Sequence, residues 1–435
     1  MMVENRKLSR RKLLGTAAIA ATAAAAGGLG TVASLFAQQP QVPGDEKSLP
    51  TFTGPSQNPY WNSVGPTVQY PQKFPLVLLT DRPVQLETPR HYFETAFTPN
   101  GAFYVRWHLD EIPNSVDLAT WRLNVEGSVE RPLKFSMSDL TGKFKPVTVA
   151  AVNQCSGNSR SKFQPRVPGG QWGQGAMGNA KWTGVPLREL LDAAKIKQDG
   201  LFVQFQGMDQ GKGPEGHGSR EFLKSLELKN SVLDDCIVAY AMNGEPLPML
   251  NGFPVRLVVP GYFATYWMKG LSWIRVLDKP DENFWMKTGY RVPDTPRGNT
   301  TPEEIKAGNV KTVPISRMPV RSFIVTPDGA TKLVAQLPVA VRGIAFSGYG
   351  SITKLEISVD DGKSFEVAEL GEDFGPYSFR TWSYKWTLPK PGRYFLAARA
   401  TDGKGNIQPD DGVWNPGGYL WNRIERQEVV VGRSS

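Results

Sequence analysis

Val152-Asn153-Gln154-Cys155-Ser156-Gly157-Asn158-Ser159-Arg160-Ser161-Lys162-Phe163 is the stretch on which the reading of this chain turns. It closes a β-branched, apolar run, 147–152, which predicts a strand. It then breaks into small polar residues, which predict a loop. The cysteine therefore stands where a strand opens into a loop, with Arg160 and Lys162 close behind it in sequence. Cations beside a thiol favour its thiolate form. A thiolate is a soft ligand suited to a transition metal. The plain alternative for an isolated cysteine is a packed structural thiol, and the polar loop and its cations weigh against that.

Working outward, Phe103-Tyr104-Val105-Arg106-Trp107-His108-Leu109 lies about fifty residues upstream. Downstream come Asn243-Gly244-Glu245-Pro246-Leu247-Pro248, then Asn251-Gly252-Phe253-Pro254-Val255-Arg256, then Trp267-Met268-Lys269-Gly270-Leu271. The R-x-H strand end, the C-x-G-N-x-R loop and these later segments, in this order, resemble the sulfite oxidase family of molybdenum enzymes over residues 95–430. Within that family the likeness is to bacterial periplasmic sulfite dehydrogenase catalytic subunits. It implies a molybdenum–molybdopterin cofactor with Cys155 as the one protein ligand to the metal. It also implies sulfite, or a related sulfur oxyanion, as substrate.

An oxyanion is best held by guanidinium groups, which offer paired planar donors and keep their charge. Arg106 and Arg160 are the candidates. Tyr290, in Phe284-Trp285-Met286-Lys287-Thr288-Gly289-Tyr290-Arg291, matches the family's active-site tyrosine, with Tyr262 and Tyr266 as competitors for that role. The resemblance gives the pterin Tyr104, Arg106, His108, Asp209, Asn251, Arg256, Trp267, Met268 and Lys269. Trp172 is a candidate pocket wall. Two departures stand out. Asn251 occupies a position where vertebrate members carry histidine. Trp414-Asn415-Pro416-Gly417-Gly418 replaces a W-N-L-R-G segment that supplies a third arginine, for which Arg423 or Arg426 could compensate.

The two cysteines, Cys155 and Cys236, are too few for a disulfide framework, and Cys236 in a strand-like run reads as a core thiol. There is no C-x-x-C-H and no cysteine set for an iron–sulfur cluster, so no haem is expected on this chain. Electrons should leave to a c-type cytochrome or similar carrier. His217 lies in a glycine-rich loop, 211–218, that lacks Walker spacing and reads as a pocket edge.

Ser9-Arg10-Arg11-Lys12-Leu13-Leu14, followed by an Ala/Gly-rich apolar run, reads as a twin-arginine export signal over 1–37. Export in a folded state suits a protein that must be loaded with its cofactor first, and it points to the periplasm with no membrane anchor after signal removal. Five basic side chains against Glu4 in that segment leave about +5 of the chain's +9 elsewhere. That charge suits anionic substrates. No basic stripe interleaved with stacking aromatics appears, so nucleic acid is set aside.

Forty-four glycines and thirty-five prolines favour a β- and loop-rich fold over a helix bundle. The expected class is α+β. Residues 38–94 read as an extended arm with one strand at 74–80, and 95–300 as a mixed α/β molybdopterin-binding domain. In that domain, strands are expected at 121–125, 201–206 and 236–242, and helices after Ser136 and at 186–194. Short alternating strands then recur at 341–347, 354–358, 364–368, 383–386 and 394–400. Their spacing predicts an immunoglobulin-like β-sandwich over 318–435, which the resemblance makes a dimerisation domain. A homodimer, or a heterodimer with a haem subunit, follows from it. The alternatives left open are a sulfane dehydrogenase subunit of a thiosulfate-oxidising complex, a methionine-sulfoxide reductase of the same superfamily and a non-catalytic periplasmic binding module.

Overall fold

The computed structural model describes residues 67–68, 70–211, 220–387 and 390–433. The export segment, most of 38–69 and the His217 loop lie outside the described residues. No helix among the described residues is long and apolar enough to cross a membrane.

Two five-stranded sheets build the first half. One runs Glu221–Glu227, Phe202–Gln210, Leu271–Leu277, Leu123–Gly127 and Leu133–Phe135, and its third and fourth strands pair parallel. The other places Val147–Gln154 at an edge beside Met177–Pro186, then Ile237–Met242, which also pairs Arg256–Val258. The helices are short. Met137–Gly142 starts at a capping box in which Ser136 and Asp139 satisfy each other's backbone donors. Leu187–Ala194 buries Leu187, Leu190, Leu191 and Ala194, the one-sided stripe its spacing predicts.

Residues 70–94 depart from the expected extended arm. Leu76–Asp81 and Val84–Glu87 form an antiparallel hairpin, and Val105–Arg106 pairs with its second strand. Leu76, Leu86, Val105 and Trp107 make a small core beneath it. Thr67–Val68 pairs with the hairpin's first strand, so the R-x-H motif begins on the last strand of a four-stranded sheet whose other members precede it.

The second half is a sandwich of a four-stranded and a five-stranded sheet. The first contains Arg321–Thr326, Pro338–Phe346 and Arg380–Thr387; the second contains Arg426–Gly432, Gly392–Asp402 and Ile352–Ser358. Val341, Trp382, Leu355, Leu396 and Val429 of the two inner faces pack into one core. The five strands expected by alternation are present. The flanking strands Arg321–Thr326 and Arg426–Gly432 were not foreseen, because five successive buried residues in the former mask its alternation.

Candidate active site

Cys155 follows directly on the strand Val147–Gln154. Its N–H donates to Ala176 O at 2.9 Å, and its carbonyl accepts from Asn158 N at 3.0 Å, closing a tight turn. Cys155 is 7% exposed, and its thiol lines a cavity. Tyr104, Arg106, His108, Asn251, Arg256, Lys269 and Tyr290 line the same cavity, so most of the residues read from sequence converge on that sulfur. Asn153, Ser156 and Thr265 join them and were missed as lining residues; Asn153 and Ser156 flank Cys155 in the quoted stretch, where nothing local shows which small polar side chain faces the cavity.

Tyr290 faces the cavity, and its hydroxyl stands 2.6 Å from His108 Nε2. Its backbone lies at φ +56°, a left-handed conformation that is strained for a bulky side chain. Burial holds the phenol well above its ordinary pKa. The His108 imidazole stacks on Phe222 at 3.5 Å. Burial first, then Arg106, Lys269 and Lys224, keep it well below the usual histidine range, hence neutral. The competing tyrosines are occupied elsewhere: Tyr266 donates to Ile315 O, and Tyr262 accepts from Asn230.

Arg160 stands one layer back. Its Nε donates to Gly417 O and its Nη1 to Gly170 O, both at 3.1 Å. Its guanidinium lies 5.3 Å over the Tyr419 ring, which stacks on Tyr290. A Cβ at Gly157 would come within 2.5 Å of that guanidinium, which explains the glycine of the C-x-G-N-x-R loop. Lys162 turns away from the thiol to pair with Glu425, so the expected second cation beside Cys155 is absent. Arg423 and Arg426 do not replace a third arginine: Arg423 donates to Asp410 O, and Arg426 is held by Asp361 and Asp410.

Asn251 has its own logic. Its Oδ1 accepts from the buried Lys73 Nζ at 2.7 Å, and its Nδ2 donates to Tyr104 O at 3.0 Å. Asp209 lies outside the cavity lining. Burial lifts its carboxyl to about 6 against the pull of Lys269, while burial and then Arg256 bring Lys269 down to about 7. Trp267 and Met268 are buried and do not belong to the cavity lining. The Trp267 indole donates to Tyr262 O and packs on Trp182, and Met268 is buried. Trp172 packs behind Tyr104. Cys236 is fully buried, its Sγ 3.2 Å from Val232 O.

Two family models match the chain: the oxidoreductase molybdopterin binding domain over residues 108–285 and the Mo-co oxidoreductase dimerisation domain over 312–431. Mitochondrial sulfite oxidase of Mus musculus is 32% identical over 86% of this chain and 69% of its own length. The chain belongs to the sulfite oxidase family. An NADH nitrate reductase of Arabidopsis thaliana is 31% identical over 75% of this chain and 38% of that protein. The crystal structure of sulfane dehydrogenase SoxCD from Paracoccus pantotrophus aligns with a TM-score of 0.69 at 27% identity, covering 80% of this chain and 86% of that one.

The cavity fits the molybdopterin group of this family. Its lining carries Arg106, Arg256 and Lys269 and no carboxylate. Asn153 Nδ2, Ser156 Oγ, Thr265 Oγ1 and Arg256 Nε are buried around it without a partner among the described residues. Unpaired buried donors are costly and gather where a polar ligand completes them. Among the described residues no three His, Cys, Asp or Glu side chains converge to hold a metal by themselves. A single thiolate beside a chelating organic cofactor is the arrangement these residues can serve.

Proposed function

We propose that the protein is a periplasmic sulfite dehydrogenase: sulfite and water give sulfate, two protons and two electrons, and the electrons pass singly to a c-type cytochrome or similar carrier. The observation that supports this most is the convergence of the Cys155 thiol, three cations and a set of unpaired donors on one cavity. The molybdenum centre supplies the oxygen transfer and the two-electron reservoir. The chain's residues do the rest. Cys155 ligates the metal. Arg256 and Lys269 hold the anionic pterin, with Asn153, Ser156 and Thr265 completing its polar edge. Arg106 binds the incoming oxyanion. Arg160 reaches the same space through Tyr419 and Tyr290. The export segment and the dimerisation domain support a secreted, folded dimer, alone or with a haem subunit.

The deciding measurement is reduction of ferricytochrome c by the molybdenum-loaded protein with sulfite. Stoichiometric molybdenum without turnover of sulfite would remove the proposal. A second reading, a sulfane dehydrogenase, draws on the likeness to SoxCD and on Gly417 standing where the resemblance expects a third arginine. Turnover confined to a carrier-protein persulfide would favour it.

Tyr290→Phe removes the hydroxyl that His108 faces, while the ring keeps its stack on Tyr419. Loss of one proton-handling contact predicts a kcat lower by about 10- to 100-fold, with the unfolding midpoint unchanged. Stopped-flow reduction separates the chemical step from electron exit.

Lys269 adds a pH dependence. With its pKa at about 7, the lysine is largely neutral at pH 8 in the cofactor-free protein, and an anionic partner restores its proton. Loading therefore takes up a proton above pH 7, and affinity should fall by up to about tenfold per unit there. In the cofactor-free protein the sign reverses. The unfolded chain holds that proton up to the ordinary lysine value, so this group adds stability as pH rises past 7. Molybdenum retained on dialysis at pH 6.5 and 8.5, in the parent and in Lys269→Met, measures the first effect.

A further inference from the structure

The second domain holds the Cys155 loop directly. Val152 N–H, three residues before the thiol, donates to Tyr377 O at 2.8 Å. Ser159, four residues after it, is fully buried at φ +67°, a left-handed conformation disfavoured for any residue with a Cβ. Its Oγ accepts from Arg321 Nη2 at 2.7 Å. Arg321 is 1% exposed, and the same nitrogen donates to Glu425 Oε1 at 3.0 Å. The other Glu425 oxygen accepts from Lys162 of the Cys155 loop and from Gln174. Burial pushes the Glu425 carboxyl up, yet Lys162 and then Arg321 hold it at about 2, so it is charged at every working pH. Charge-assisted hydrogen bonds in a buried setting are the strong ones.

We propose that Arg321 and Glu425 are positioning residues for the Cys155 thiol: the sandwich domain clamps the Ser159–Lys162 turn and so fixes where the sulfur points. Arg321 keeps Ser159 in a conformation its own backbone disfavours, and Glu425 draws Lys162 away from the sulfur. The assignment of Cys155 as a metal ligand rests on the proposed function; the clamp on the loop does not.

Alkylation of the cofactor-free full chain by iodoacetamide, read cysteine by cysteine by mass spectrometry, tests it. Cys236 is the internal reference, because it is fully buried and burial pushes its thiol up, so its labelling reports global opening. Arg321→Met removes the clamp. Ser159→Ala removes only its acceptor and serves if the first variant does not fold. Either should raise the labelling rate of Cys155 tenfold or more with the Cys236 rate unchanged. Equal acceleration of both thiols, or of neither, overturns the proposal and leaves these residues as domain packing. In the loaded protein, kcat for sulfite should fall at constant KM, and the electron paramagnetic resonance signal of the half-reduced metal should shift. An unshifted signal in a variant whose Cys155 labels faster counts against positioning. A parent protein that loads molybdenum but ignores sulfite sinks the functional reading while the labelling result stands.

Discussion

Cys155→Ser should fold as the parent does and turn over no sulfite. The hydrogen bonds Cys155 itself makes are backbone ones, from its N–H to Ala176 O and from Asn158 N–H to its carbonyl, and both survive the exchange. The side chain is nearly isosteric, so the unfolding midpoint should move little. The chemistry is another matter. A serine hydroxyl is not ionised at neutral pH and is a hard donor where a soft thiolate is wanted. A loss of roughly a thousandfold or more, equivalent to about 4 kcal/mol in the barrier, is the expected result in the ferricytochrome assay. Metal analysis on the same sample separates loss of molybdenum from loss of rate at full occupancy, and either fits a ligand role. A variant that keeps more than a tenth of the parent rate would show that the sulfur is not on the metal.

The sequence placed that sulfur well because one local signal carried it: an apolar strand that stops and a loop of small residues that follows. The lining of the cavity was legible in the same local way at Tyr104, Arg106, His108, Asn251 and Arg256, each carried by a short motif. Trp267 and Met268 sit between legible neighbours but face the other way. Trp267 N–H donates to Ala264 O and Met268 N–H to Tyr266 O, so this short turn presents Lys269 to the cavity and the two before it to the core. Sequence adjacency cannot show which of three consecutive side chains faces a pocket. Long-range partners were equally hidden. Lys162 looked like a neighbour of the thiol until Glu425, more than 260 residues later, claimed it. Lys73 against Asn251, and Lys224 donating to Trp285 O while lying 5.7 Å from the Tyr290 ring, are buried lysines that no local pattern announces. The strand expected at 74–80 is the first strand of the hairpin at 76–87, and its partner, Val84–Glu87, went unseen because four residues are too few to show a period. Five of the sandwich strands needed no such partner, since their own alternation announced them; Arg321–Thr326, buried over five successive residues, did not announce itself.

Arg256→Met should leave the cofactor-free protein folded and empty its site. The guanidinium is 3% exposed, sits 5.0 Å over the Trp182 ring, and donates to Asn251 O and Trp267 O. Its Nε has no partner among the described residues, and no carboxylate lines the cavity. Burial brings its pKa down to about 10, so it remains charged at neutrality. A buried charge without a counter-ion is costly to fold around. That cost persists until an anion arrives, which is the arrangement expected of a ligand-binding cation rather than a structural one. Methionine has similar reach and packs well against indole rings. Two carbonyls lose a donor in the exchange, an opposing cost of about 1 kcal/mol each. The unfolding free energy of the cofactor-free variant should therefore stay within about 1–2 kcal/mol of the parent. Cofactor retention loses a charge-assisted bond of about 2–3 kcal/mol, or roughly 30- to 150-fold in affinity. Molybdenum content and cofactor-free unfolding, measured on one preparation, give the two numbers. Full molybdenum in a variant destabilised by more than about 3 kcal/mol would mean that Arg256 holds the strands together and the anionic cofactor is bound elsewhere.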